Sequence, residues 1–90
     1  MSIPSHKINR TTRFGEKLRE LRTSKGMTLR EIATAVGQSA HGYISELEAG
    51  KKMPTVSLVL RIADLFHVTT DELLRDDMNI KESKNNETQP

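Results

Sequence analysis

The 90-residue chain, 34% hydrophobic and 29% charged, has apolar material for one small core and too little bias for a fibrous or disordered polymer. It lacks cysteine, has Phe14, Tyr43 and Phe66 as its aromatic residues, and contains no apolar run near the length of a membrane helix; this excludes disulfide scaffolds, thiolate metal sites, transmembrane helices and stacking platforms for single-stranded nucleic acid. The net charge of +2 hides an asymmetry, because residues 1–30 carry eight Lys or Arg against two Glu and residues 31–90 carry six against ten acidic side chains, so the basic third suggests a side that faces a polyanion.

Residues 1–12 hold Pro4, polar residues and no apolar h-region, and read as a flexible basic arm rather than a secretory signal. Phe14, Leu18 and Leu21 then fall at i, i+4 and i+7, one face of a helix that stops near Gly26. Thr28-Leu29-Arg30-Glu31 is a capping box, with Met27 and Ile32 as its hydrophobic staple. It opens a short second helix, whose stripe of Leu29, Ile32, Ala33 and Val36 ends at Gly37. After a turn at Gln38-Ser39, Ala40, Ile44 and Leu47 define a third helix closed by Gly50.

Lys51-Lys52-Met53-Pro54 is a basic loop, and Thr55 can cap a fourth helix. That helix carries two apolar stripes, Val56-Val59-Leu60-Ala63 and Leu58-Ile62-Leu65-Phe66, so it is the most central helix or one that also meets a partner. Thr69-Thr70-Asp71-Glu72 is a second capping box, stapled by Val68 and Leu73, and starts a fifth helix ending near Arg75. Residues 13–77 thus form one all-α domain of five helices, and 78–90 have the composition of a disordered polar tail.

A short helix, a tight turn after Gly37 and a second short helix are the parts of a helix-turn-helix, whose second helix fits a DNA major groove about 12 Å wide. The run Leu21-Arg22, Gly26 to Ala33, Val36-Gly37 and Tyr43 to Pro54 resembles the XRE-like, Cro and phage-repressor type of helix-turn-helix regulator. Its most specific piece is Ile44-Ser45-x-Leu47-Glu48-x-Gly50-Lys51 followed by Pro54, and the likeness extends through Leu58, Ile62-Ala63, Leu65-Phe66 and Asp71 to Leu74. One departure is the eight steps from Gly37 to Ser45, where the family usually has seven.

The resemblance implies a compact bundle of the phage-repressor DNA-binding type, with the helix-turn-helix at helices 2 and 3. It implies a sequence-specific regulator of double-stranded DNA, a homodimeric repressor on an inverted-repeat operator. Its setting would be a bacterial or phage cytoplasm, in association with the nucleoid. The alternatives are an antitoxin-like protein-interaction module and the controller protein of a restriction–modification operon.

On this reading Ser39, Ala40, His41, Tyr43, Ser45 and Glu46 lie at the start and outer face of the third helix, within reach of base edges. Arg13, Lys17, Thr28, Arg30, Lys51 and Lys52 are phosphate candidates, and Lys7 and Arg10 could follow the groove from the arm. Leu29 stands where many phage repressors place a glutamine, so that backbone contact is not carried over. Arg22 and Glu48 match positions that pair in the family as a structural salt bridge. Dimerisation would use Leu58, Leu65, Phe66 and Leu74. His6, His41 and His67 are isolated, and no glycine-rich phosphate loop with its lysine is present, so the reading includes no catalysis, metal or cofactor.

Overall fold

The computed structural model describes residues 11–37 and 41–81. The arm residues Lys7 and Arg10, the turn at Gln38-Ser39, Ala40, and the tail from residue 82 lie outside them. Five helices follow in order: α1 (Phe14–Ser24), α2 (Leu29–Ala35), α3 (His41–Glu48), α4 (Val56–Phe66) and α5 (Thr70–Leu74). Among the described residues there is no strand.

Local chemistry sets the helix starts. Glu31 N donates to Thr28 Oγ1 at 3.0 Å and Thr28 N to Glu31 Oε1 at 2.9 Å. The same reciprocal pair opens α5, at 2.9 Å for Glu72 N to Thr69 Oγ1 and 2.8 Å for Thr69 N to Glu72 Oε1. Thr55 Oγ1 accepts from Leu58 N at 3.1 Å and caps α4. Each such cap stabilises its helix by about 1 kcal/mol. α4 ends differently from α1, because its C-cap is His67 in the left-handed region at φ 58°.

One core joins all five helices. Leu18 and Leu21 of α1, Ile32 of α2, Ile44 and Leu47 of α3, Leu58 and Ile62 of α4, and Leu73 of α5 are fully buried together. On α4 the two sequence stripes do not separate as core and partner face. Val59 and Ala63 join Leu58, Ile62 and Phe66 inside, leaving Val56 and Leu60 outside.

The two ends of the domain are tied across more than sixty residues. α1 receives no cap from its own N-cap side chain, that of Arg13. Asp76 supplies it instead: Oδ1 accepts from Arg13 N at 2.8 Å, and Oδ2 accepts from Thr12 N at 3.0 Å and from the Thr12 hydroxyl. Residues 78–81 belong to the same junction. Ile80 packs on the core, Lys81 N donates to Glu72 Oε2 at 3.0 Å, and the Met78 carbonyl accepts from Lys17. Contacts of the helical domain thus reach past residues 13 and 77 at both ends, and being tertiary they leave no local pattern.

Desolvation pushes the Asp76 carboxyl up, but hydrogen bonds from the Thr12 hydroxyl and the Arg13 and Thr12 amides outweigh it and hold the group below its ordinary value. Its stabilising effect is complete above the unfolded value and is lost as pH falls through the lower folded one. Asp76→Asn is expected to cost about 1–2 kcal/mol at neutral pH, the loss of a helix cap. The gap from wild type should close as the medium drops below about pH 4. Urea unfolding of both proteins across that range checks this, and a gap independent of pH would refute the capping role.

Candidate nucleic-acid interface

α3 buries Ile44 and Leu47 against α1 and α2 and turns its opposite face outward. His41 and Ser45 are exposed at i and i+4, with exposed Gly42 and half-buried Glu46 beside them and exposed Ala49 just past the helix end. Ser45 and Ala49 share a shallow open depression with Arg19 of α1 and Leu29 at the start of α2, underlain by Arg22 and Glu48. One surface thus collects the outer stripe of α3, the first residue of α2 and a cation from α1.

An ion pair beneath that surface fixes α3. Arg22 Nε meets Glu48 Oε2 at 2.6 Å and Nη2 meets Oε1 at 3.1 Å, a two-pronged geometry that only a planar guanidinium provides. The side chains are 14% and 9% exposed, so water screens them little. Nη1 also donates to the Met27 carbonyl at 2.8 Å. The hydrogen bond to Glu48 holds the Arg22 guanidinium above its ordinary pKa. One side chain therefore joins the last turn of α1, the loop before α2 and the end of α3. Where these elements meet, the residue at 15 is glycine. A Cβ there would stand 2.2 Å from the Leu47 carbonyl oxygen and 2.7 Å from that of Glu48.

Of the proposed base readers, His41 and Ser45 lie on the open stripe, and Glu46 sits at its edge, 3.7 Å from Lys52 Nζ. Ser39 and Ala40 fall outside the described residues. Tyr43 is half-buried. Its ring packs on the core and its hydroxyl donates to the Met53 carbonyl at 3.2 Å, which fastens the basic loop to α3.

Among the phosphate candidates, Arg30, Lys51 and Lys52 are exposed. Thr28 is exposed as well, but its hydroxyl and amide are both engaged in the capping box. Lys17 is corrected outright. It is 1% exposed, and its ammonium donates to the carbonyls of Glu72, Arg75 and Met78 at 2.6, 2.6 and 2.7 Å. Arg13 is also turned inward along the chain, to the Asp76 carbonyl at 2.9 Å, Asn79 Oδ1 at 3.3 Å and Glu16 at 3.3 Å. Arg19 is the cation that the sequence reading passed over. It lies three residues before Arg22, hence one turn earlier on the same side of α1, and that spacing was the available signal.

The four residues expected at the dimer face are placed differently. Leu58 and Phe66 are core residues, and Leu65 and Leu74 are half-buried. The apolar side chains that face outward are Val56 (78% exposed), Met53 (62%) and Leu60 (52%), and with Pro54, Val59 and Leu74 they line a groove of about 280 Å³.

A short capped helix, a second short helix held by a buried ion pair, and three further helices closing one core define a helix-turn-helix domain of the all-α class. The sequence profile of the helix-turn-helix family matches residues 18–73, and the chain belongs to that family, in its XRE-like branch.

The chain is 36% identical over 62 residues to the SPbeta prophage-derived HTH-type transcriptional regulator YonR of Bacillus subtilis, covering 69% of this chain and 56% of that one. It is 32% identical over 60 residues to the HTH-type transcriptional regulator YazB of the same organism, covering 67% and 86%. The restriction–modification controller protein C.AhdI from Aeromonas hydrophila shares the fold with a TM-score of 0.63 at 30% identity, over 71% of this chain and 96% of that one. The clp gene regulator ClgR from Corynebacterium glutamicum gives 0.60 at 35% identity, over 70% and 80%. The chain spans about half the length of YonR and of the regulator DdrOP3 of Deinococcus deserti, 56% and 45%. Among the described residues, no helix is long and apolar enough to cross a membrane.

Proposed function

We propose that the chain is a sequence-specific, double-stranded DNA-binding transcriptional regulator that acts in the cytoplasm, at the nucleoid, as a homodimeric repressor. The observation that carries this reading is the outward face of His41 and Ser45 on α3, which shares a depression with Arg19, together with the exposed cations Arg30 at the start of α2 and Lys51 and Lys52 after α3. Polar side chains on such a helix reach base edges, and the cations neutralise phosphates on either side. A second copy docks through the groove of Met53, Val56, Leu60 and Leu74. A two-fold axis there calls for two inverted half-sites about one helical turn apart.

Titration against duplexes selected from a random pool, at several salt concentrations, tests both parts. Four phosphate contacts per protomer give a log–log salt slope of about −3 to −4 for each half-site. Leu60→Glu should leave the helical spectrum unchanged and abolish the dimer, weakening binding to the paired site about tenfold or more. Salt-independent or absent DNA binding would sink the reading and favour a protein partner instead. The role of controller protein in a restriction–modification operon is a second reading, favoured by the match to nearly the whole length of C.AhdI. A methyltransferase or restriction gene beside the reading frame would select it.

A further inference from the structure

α4 carries the outward groove, yet it also reaches the helix-turn-helix pair through a polar side chain. Arg61 Nη1 donates to the Val36 carbonyl at 3.1 Å. Val36 is the C-cap of α2, so the guanidinium meets an end of a helix where the peptide dipoles leave negative charge. The next residue, Gly37, has a φ of 78°, and a Cβ there would lie 3.0 Å from Arg61 Nη1. A side chain at 37 would suffer the left-handed backbone and also press on the guanidinium. Gly37 and Arg61 thus fit together at the point where the chain leaves α2 for α3. Neither the cap boxes nor the Arg22–Glu48 pair holds this point; they act at the start of α2 and the end of α3.

We propose that Arg61 is a positioning residue for DNA reading: by holding the Val36 carbonyl it sets how the chain leaves α2, and so how α3 is aimed. The proposal rests on the reading of α3 as the helix that enters the groove. Arg61 adjoins Leu60, which lines the groove assigned to the second copy. The same turn of α4 therefore links the face that joins two protomers to the point that orients each recognition helix. An arginine suits this task because its charged, rigid fork can hold a helix-terminal carbonyl while its stem lies along α4.

The test compares the 90-residue chain with Arg61→Lys, Arg61→Gln and Arg61→Ala. Affinities are measured for the duplex selected by the wild type and for a scrambled duplex, and amide exchange at Gly37 and at the start of α3 is followed without DNA. Loss of one charge-assisted hydrogen bond should lower the specific-to-scrambled ratio about tenfold in Arg61→Ala and speed exchange there by a similar factor. Arg61→Lys, which keeps a charged donor, should recover most of both. An unchanged ratio and unchanged exchange in Arg61→Ala would overturn the proposal. So would equal losses on both duplexes in the Gln and Ala variants with a salt slope shallower by about one, the behaviour of a phosphate contact. If the wild type itself does not discriminate between duplexes, the regulator reading fails. The aiming role then fails with it, and the exchange comparison separately shows whether Arg61 holds the turn.

Discussion

Lys17→Met is expected to destabilise the domain by about 2–4 kcal/mol, with little direct effect on DNA contacts. Methionine keeps much of the buried stem but supplies no donor. The carbonyls of Glu72, Arg75 and Met78, which converge on Nζ within 2.7 Å, then lose this donor together, and of the three the Arg75 carbonyl still accepts from Met78 N at 3.1 Å. Each carbonyl left unpaired costs about 1–3 kcal/mol, offset in part because an ammonium no longer has to be desolvated. Burial, followed by the nearby Arg13 charge, pulls the Lys17 ammonium below its ordinary pKa, against the opposing pull of Asp76, Glu16 and Asp77. Urea unfolding at neutral pH measures the loss, with exposed Lys25→Met as the control, expected within about 0.5 kcal/mol of wild type. Unchanged stability together with a shallower salt slope for DNA would instead restore Lys17 as a phosphate contact. The stake is large because a domain of this size is held by only a few kcal/mol in total.

Gly15→Ala should cost about 2–3 kcal/mol although alanine is the better helix former by about 1 kcal/mol. The added methyl cannot be relieved by a side-chain rotation, because the atoms it meets, the carbonyl oxygens of Leu47 and Glu48, are backbone. α1 and the end of α3 must move apart, and the Arg22–Glu48 pair lies at that junction. Specific DNA binding is therefore expected to fall further than stability alone predicts, since the reading helix is displaced as well as loosened. Gly42→Ala is the contrasting variant. A Cβ at Gly42 meets nothing within 4 Å, so alanine there should be neutral or stabilise α3 by up to about 1 kcal/mol. Thermal melts of the two variants decide the matter. If both glycine replacements behave alike, the close approach of α1 to α3 is not what requires Gly15.

Much of this protein was legible in one dimension because it is local. The capping boxes at Thr28 and Thr69 and the cap at Thr55 involve residues three apart, and each forms with the partner its spacing names. The core stripe of α1 was likewise visible, and so in principle was the fate of Lys17. It falls three residues after Phe14 and four before Leu21, on the buried face of the helix, where a charge count along the chain does not register orientation.

Tertiary structure decided what depends on partners far away in sequence. Asp76 caps a helix that begins sixty residues earlier, Tyr43 bonds to the Met53 carbonyl, and Gly15 is required by the end of a different helix. The division of α4 into core and outward residues also waited on packing, since both stripes are equally apolar and the first is itself split, with Val59 and Ala63 inside and Val56 and Leu60 outside. Helical periodicity assigns residues to a face, and hydrogen-bond chemistry closes the ends of each helix. Which faces meet, and what a charged side chain finds there, is set by long-range contacts whose energies exist only once the chain has folded.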